Sequence, residues 1–405
     1  MPEVQMMGSD RTAILWTLQS WGLAFLTFLT FFPSLFHLGE YLFFAFLVLT
    51  LGLAWVDERA IWVRTPIDLP LLLFVGWVLL SIPFAVDPMY SFGEWRKLIS
   101  SVLVFYWVLI IFQNPRNRWI NILLLGTVVM SIVVQSSYAL IDFVAQEGSW
   151  THRAIRASAP LSGFQELTTY MVMGIPLLIV AIVVSGTWWQ RLISYGAVGL
   201  ALLAHLLTYT RAGWLGILAQ GVGLGLYTQR RGIRIILLVV IACACIGLYL
   251  LFEMGYHQDT FDPLTLNTRL AVWDLGVQEM LKQPIFGLGF GINTFEPWIE
   301  GQSPEGGRIH LHNTFLMVGV GSGWPALIFF TWVFVKAVRA LWSQASNMTD
   351  PLQGGMMVGA ALMVLGFMVR NFFDYMFKGS LAYLFWIILA AGLANCIKIS
   401  RTTKN

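Results

Sequence analysis

Charge is what this 405-residue chain has least of. Asp, Glu, Lys and Arg make up 11% of it, 58% is hydrophobic and the mean hydropathy is +0.73. A soluble domain carries about 25% charged residues. So few charges cannot cover a surface that faces water on all sides, which excludes a soluble globular domain and predicts a polytopic membrane protein. Short alternating segments of the kind that build membrane barrels are lacking. The apolar runs are continuous, and a spanning helix needs roughly 20 such residues, so the fold class expected is all-α. Cysteine is scarce: Cys243, Cys245 and Cys396 lie in or beside apolar runs without metal-ligand spacing. They read as small buried hydrophobes rather than as redox groups. No cleavable signal peptide is evident, because the first run lacks a small-residue cleavage site and a second follows closely. Internal repeats and low-complexity tracts are lacking too.

What is present is a series of apolar runs. Twelve spans are expected, at about 14–33, 37–55, 67–84, 95–112, 119–142, 167–185, 189–207, 212–228, 233–252, 313–336, 354–371 and 379–397. An even count places both termini on one side. The segments on that side hold Arg59, Arg64, Arg191, Arg230, Arg231, Arg339 and Lys398, among other bases. The opposite segments hold most of the acids, including Glu94, Glu166, Glu253 and Glu300. By the positive-inside rule both termini are expected in the cytoplasm. The expected division is helices 1–9 over 1–252, one large outer loop over 253–311, and helices 10–12 with a tail over 312–405. The short outer loops 84–93 and 144–166 are expected to contribute to an outer vestibule.

The large loop opens at Asn267-Thr268-Arg269, which reads as the start of an amphipathic helix with Asn267 as N-cap. Leu270, Trp273, Val277 and Met280 fall on one face at helical spacing, and Pro284 ends the run. The glycines of Gly287-Leu288-Gly289-Phe290-Gly291 have no strand before them, so a nucleotide loop is disfavoured and a tight turn lying on the membrane is expected. The loop closes on Arg308-Ile309-His310-Leu311-His312-Asn313-Thr314, directly before an apolar run. His312 and Asn313 should therefore sit where a loop becomes a helix.

Arg211 stands at the expected outer start of span eight. A helix N-terminus disfavours a cation unless an anion also binds there, and helix start plus arginine is a ready phosphate site. One such arginine alone would read as an interfacial side chain snorkelling to water. The pattern recurs, however, at Arg269 and at His312, which points to a shared anionic ligand, with Arg308 and Arg370 adding to the field. For Arg370 an ion pair with the nearby Asp374 is the structural alternative. His310 and His312 are too few for a catalytic zinc site, which needs about three protein ligands; only Glu300 or Glu305 lies nearby. No metal is expected. His312 reads better as a base, since a helix start favours the neutral ring. His37, His152, His205 and His257 read as interfacial or loop residues without a role.

At these positions the chain resembles the O-antigen ligase and polymerase superfamily of bacterial envelope glycosyltransferases. The resemblance rests on Thr210-Arg211-Ala212-Gly213-Trp214, on Arg269 through Pro284-Ile285-Phe286-Gly287-Leu288-Gly289, and on His310-Leu311-His312-Asn313-Thr314-Phe315-Leu316 with Gly319 to Pro325. It implies a GT-C-like helical fold with a periplasmic loop between spans nine and ten. It implies catalysis without metal or cofactor in the bacterial inner membrane, with an undecaprenyl-diphosphate-linked glycan as donor. By resemblance, His312 matches the base, and Arg211 and Arg269 match the groups that hold the donor diphosphate. Arg308, His310, Asn313 and Arg370 are further expected contacts. One departure stands out: the segment Gly163-Phe164-Gln165-Glu166 lacks an Asn that many relatives carry.

The function expected is transfer of a preassembled glycan to a sugar hydroxyl of lipid A-core, as in lipopolysaccharide biosynthesis. Partners are the lipid-linked donor, the lipid A-core acceptor and membrane lipids, with no nucleic acid. A polymerase, using a second lipid-linked glycan as acceptor, is the closest rival; two large outer loops would favour it, and one is found. A ligase acting on protein ranks third. A lipid-linked glycan transporter would need charge along the bundle interior, where the spans have almost none.

Overall fold

The computed structural model describes residues 2–113, 117–149, 155–160, 163–228, 263–294 and 311–402, with scattered positions between 231 and 242. Among the described residues there is no strand, and twelve α-helices can be bounded. They are α1 (Pro2–Thr30), α2 (Phe36–Val56), α3 (Asp68–Ser81), α4 (Pro88–Ile111), α5 (Asn117–Ala145), α6 (Phe164–Val184), α7 (Trp188–Leu206), α8 (Arg211–Tyr227), α9 (Pro263–Lys282), α10 (Thr314–Ala345), α11 (Pro351–Phe372) and α12 (Gly379–Thr402). Eleven of them fall on expected spans; α9 belongs to the large loop. The expected span 233–252 lies mostly outside the described residues. Seven helices, α1, α2, α5, α6, α10, α11 and α12, are long and apolar enough to cross a membrane. The protein is a multi-pass membrane protein. The other four helices on expected spans are α3 and α8, of 14 and 17 residues, α7 of 19 residues, and α4, which starts earlier than expected and carries Glu94, Arg96 and Lys97. The Asp87 carboxylate caps α4 by accepting from the Tyr90 amide at 2.9 Å, so the helix begins at Pro88 rather than at the first apolar run.

Helix α11 is the centre of the bundle and packs against α6, α8, α10 and α12. Close approach depends on small residues, as is usual between membrane helices. A Cβ on Gly216 of α8 would lie 2.9 Å from the Gly366 carbonyl oxygen of α11, so the two backbones touch only because position 216 has none. Some polar side chains inside the bundle pair with one another across helices, as an apolar medium favours. Asn121 and Asn395 exchange amide hydrogen bonds of 3.0 and 3.2 Å, joining α5 to α12.

Helix α10 is broken at Ser322 and Gly323, just before Pro325, and Gly323 has φ +79°. The break is filled by the glycine-rich stretch after α9. Leu288 N–H donates to the Val320 carbonyl at 2.9 Å, and Gly289 N–H to Gly321 at 2.8 Å. Trp324 N–H donates to Pro284 at 2.9 Å, and the Trp77 indole to Ser322 at 3.0 Å. The freed backbone groups are therefore satisfied by protein rather than water. This corrects the expected turn on the membrane surface. The stretch docks inside the protein because Gly287, at φ +67°, has no Cβ: one there would lie 2.4–2.7 Å from the backbone of Val320 and Gly321.

Helix α9 also differs from expectation. It starts at Pro263, whose fixed φ suits a first helical position. Asn267 is thus inside the helix and is not its cap, and Arg269 lies in the second turn. The buried face is Val272, Gly276, Glu279 and Met280, while Leu270 and Val277 are exposed. Gly276 sets this rotation: a Cβ there would lie 2.7 Å from Leu311 and 3.2 Å from Leu316, so the helix seats its bare glycine on α10.

Candidate active site

The site is built where one end of α8, α9, α10 and α11 converge. Arg211 is the first residue of α8, as expected, behind a turn in which Tyr209 has φ +51°. No side chain caps this helix; the Thr210 hydroxyl turns to the Thr208 carbonyl at 3.2 Å. The end of α8 keeps the partial positive charge that attracts anions. Arg269 reaches across from α9, and its Nη1 donates to the Phe373 carbonyl at 3.4 Å. The Trp273 indole of the same helix donates to the Leu311 carbonyl at 2.6 Å and pins α9 to the start of α10.

Helix α10 is capped by Asn313, whose carbonyl oxygen accepts from the Leu316 amide at 3.0 Å. Asn313 is 4% exposed and committed to that cap, so it shapes the site as a helix cap and was expected to contact the substrate. His312 precedes it in a left-handed conformation, φ +46°. A non-glycine residue pays for that conformation, and such cost gathers at functional sites. Its Nδ1 lies 3.2 Å from Asp374 Oδ1.

Asp374 is 5% exposed and gathers three donors. Arg370 Nη2 donates at 3.0 Å to Oδ2, Tyr375 N–H at 2.9 Å to Oδ1, and His312 meets Oδ1. Burial alone would oppose its ionisation, but the His312 hydrogen bond and the Arg370 charge outweigh it and hold the carboxyl well below the usual carboxylate range. An ionised carboxylate only accepts, so His312 Nδ1 must carry the hydrogen, which leaves Nε2 as the proton acceptor of the neutral ring. The Thr314 amide and hydroxyl both donate to the Asp374 carbonyl at 3.1 Å, and Asn371 joins Thr314 at 2.7 Å. The strap after α11 is thereby stitched to the start of α10.

Arg370 is fully buried in the last turn of α11. Its Nη2 serves both Asp374 and the Gln165 side-chain carbonyl, while Nε and Nη1 have no partner. The expected ion pair with Asp374 is present. Arg211, Arg269, Arg370 and Asp374 line one cavity of about 120 Å³, together with Gln165 and Arg156. A water needs about 10–15 Å³ of such space, so the cavity has room for a small polyanion. Three arginines named from separate segments, Arg211, Arg269 and Arg370, meet around this one space, and His312 is joined to its wall only through Asp374. Arg308 and His310 lie outside the described residues. Among the described residues no group of three His, Cys, Asp or Glu side chains could hold a metal ion.

Three residues escaped sequence reasoning. Asp374 was paired with Arg370 through the i, i+4 spacing, but its contact with His312 spans 62 residues and no local signal announces it. Arg156 lies in the loop read as part of a vestibule, with its guanidinium 4.3 Å from the Phe164 ring centre. Gln165 stands in the segment noted for lacking an Asn. His205 was read as interfacial, and that is corrected. It is fully buried, and Gly213 is what admits it: a Cβ there would lie 2.4 Å from the imidazole.

Comparison with known proteins adds one match. Residues 196–331 fit the family model described as O-antigen ligase, a stretch that holds Arg211, Arg269, His312 and Asn313. No curated protein matches the chain. The family match supports a ligase- or polymerase-type role in polysaccharide synthesis. The match covers about a third of the chain, and it is this stretch, residues 196–331, that is similar to the O-antigen ligases.

Proposed function

We propose that the protein is an inverting, metal-independent glycosyltransferase of ligase type. It moves a glycan from undecaprenyl diphosphate to a sugar hydroxyl of lipid A-core on the periplasmic face of the bacterial inner membrane. One observation carries the reading: Asp374, the partner of His312, forms part of the wall of the arginine-lined cavity. His312 Nε2 takes the proton of the acceptor hydroxyl. The oxygen attacks the anomeric carbon, and the bond to the diphosphate oxygen breaks, its electron pair leaving with the lipid diphosphate. Arg211, Arg269 and the open end of α8 stabilise the charge that grows there. Asp374 holds the ring in the tautomer that leaves Nε2 basic and steadies the imidazolium once formed. Arg370 fixes Asp374.

Reconstitution in EDTA with a lipid-linked glycan and two acceptors, lipid A-core and a second lipid-linked glycan, tests the proposal. Product on lipid A-core is the expected result. Product on the second glycan would make the enzyme a polymerase. A need for an added divalent ion would overturn the metal-free mechanism.

A further inference from the structure

A second cavity, about 580 Å³, lies on the other face of the same wall. Neighbouring residues divide between the two spaces. Phe373 and Asp374 line the arginine cavity, whereas Tyr375, Phe377 and Lys378 line the larger one. Gln165 faces the first and Glu166 the second. Thr314, bonded to the Asp374 carbonyl, lines the second. The Asp374–Thr314 contact, to which His312 is bonded through Asp374, thus lies between the two chambers.

The chambers differ in chemistry. The first is ringed by guanidinium groups. The second has three carboxylates, Glu40, Glu94 and Glu166, against two ammonium groups, Lys97 and Lys378. Lys97 is spent on Glu94 at 2.6 Å. Tyrosine and phenylalanine rings, Tyr90, Tyr375 and Phe290 among them, cover its walls. The excess of one carboxylate makes this space less suited to a polyanion than the arginine cavity. Carboxylates that accept from hydroxyls, beside aromatic faces that cover C–H surfaces, suit a sugar ring. The volume falls within the roughly 300–1,000 Å³ of small-molecule sites.

We infer that this second cavity is the acceptor subsite and that it takes a neutral saccharide, entering from the side of His312 opposite the diphosphate. The inference rests on the glycosyl-transfer reading above. It also accounts for the two-chamber plan: inversion requires the incoming hydroxyl and the departing diphosphate to occupy opposite faces of the anomeric carbon.

Asn293 is exposed at the rim of the cavity, and its backbone N–H donates to the Tyr90 hydroxyl at 3.2 Å. An Asn293→Trp side chain would close the opening without touching the bundle core. The test uses the full chain in detergent, with saturation-transfer NMR of a neutral hexose disaccharide and, separately, titration of inorganic pyrophosphate. The expected result is disaccharide binding weakened at least about tenfold in Asn293→Trp and in Glu94→Gln, with pyrophosphate binding and thermal stability unchanged. Disaccharide binding that is absent from the wild type, or untouched by both variants, would overturn the inference and leave the cavity to a lipid chain. Loss of pyrophosphate binding in Asn293→Trp would also overturn it, because the chambers would then be one. Pyrophosphate binding that is indifferent to Arg211→Ala would instead count against the proposed function.

Discussion

His312 Nδ1 and Asp374 Oδ1 lie 3.2 Å apart although 62 residues separate them. The contact joins the start of α10 to the strap that follows α11, and in the proposed mechanism it leaves Nε2 as the nitrogen that takes the proton. Replacing Asp374 by Asn should leave the backbone contacts of Thr314 intact but remove the tautomer control. Turnover is expected to fall by about a hundredfold or more, with donor affinity within a fewfold of wild type. The sign of the pH effect follows from the depressed carboxyl. A group whose folded value lies below its unfolded value of about 3.9 stabilises the fold above that value and loses the effect as pH falls through the folded one. The stability gap between wild type and Asp374→Asn should therefore be flat from about pH 5 to 9 and close only in stronger acid. Thermal melting across that range checks it; a gap that shrinks near pH 6 would contradict it.

Arg370 differs from the other arginines of the cavity. It is fully buried and paired, so its removal should act on the fold. Breaking a buried pair by removing one partner typically costs about 3–5 kcal/mol. Arg370→Ala is expected to lower the melting temperature and the folded yield, whereas Arg211→Ala, at an exposed position, should not. Equal melting of both variants would refute the distinction.

The docking of the glycine-rich stretch into the break of α10 predicts a single sensitive position. A Cβ on Gly323 would lie 2.1 Å from the Ile285 carbonyl oxygen, at φ +79°. Gly323→Ala should cost about 1–3 kcal/mol from backbone strain alone, with the clash added. Melting temperature and proteolysis near residue 285 measure it. A variant that melts like wild type would show that the stretch undocks readily.

Orientation is expected from the distribution of Lys and Arg, with both termini in the cytoplasm. Ser343, exposed near the end of α10, should be shielded in intact cells. Labelling of Ser343→Cys by an impermeant thiol reagent from outside would reverse the proposed face of the active site.

Much of this was legible in the sequence because membrane helices advertise themselves by long apolar runs, and because Arg211 and His312 sit where those runs begin. Local rules failed where packing decides. The rotation of α9 follows from Gly276 meeting Leu311 and Leu316, not from the spacing of Leu270 and Val277. The start of that helix at Pro263 was hidden by a more conspicuous Asn267. The partnership of Asp374 with His312 depends on α10 and α11 lying side by side, which no spacing reveals. Gln165 reaches Arg370 across 205 residues for the same reason.

The most direct test of the account compares Arg211→Ala, Arg269→Ala and His312→Ala, measuring donor affinity and single-turnover rate separately. A charge-assisted hydrogen bond to phosphate is worth about 1.5–3 kcal/mol. Each arginine variant should therefore bind donor roughly tenfold to a hundredfold more weakly, and lysine should restore only part of the loss because it lacks the planar fork. His312→Ala should bind donor like wild type and turn over about a hundredfold more slowly or worse. If His312→Ala binds donor as weakly as Arg211→Ala, His312 is a phosphate contact and not the base.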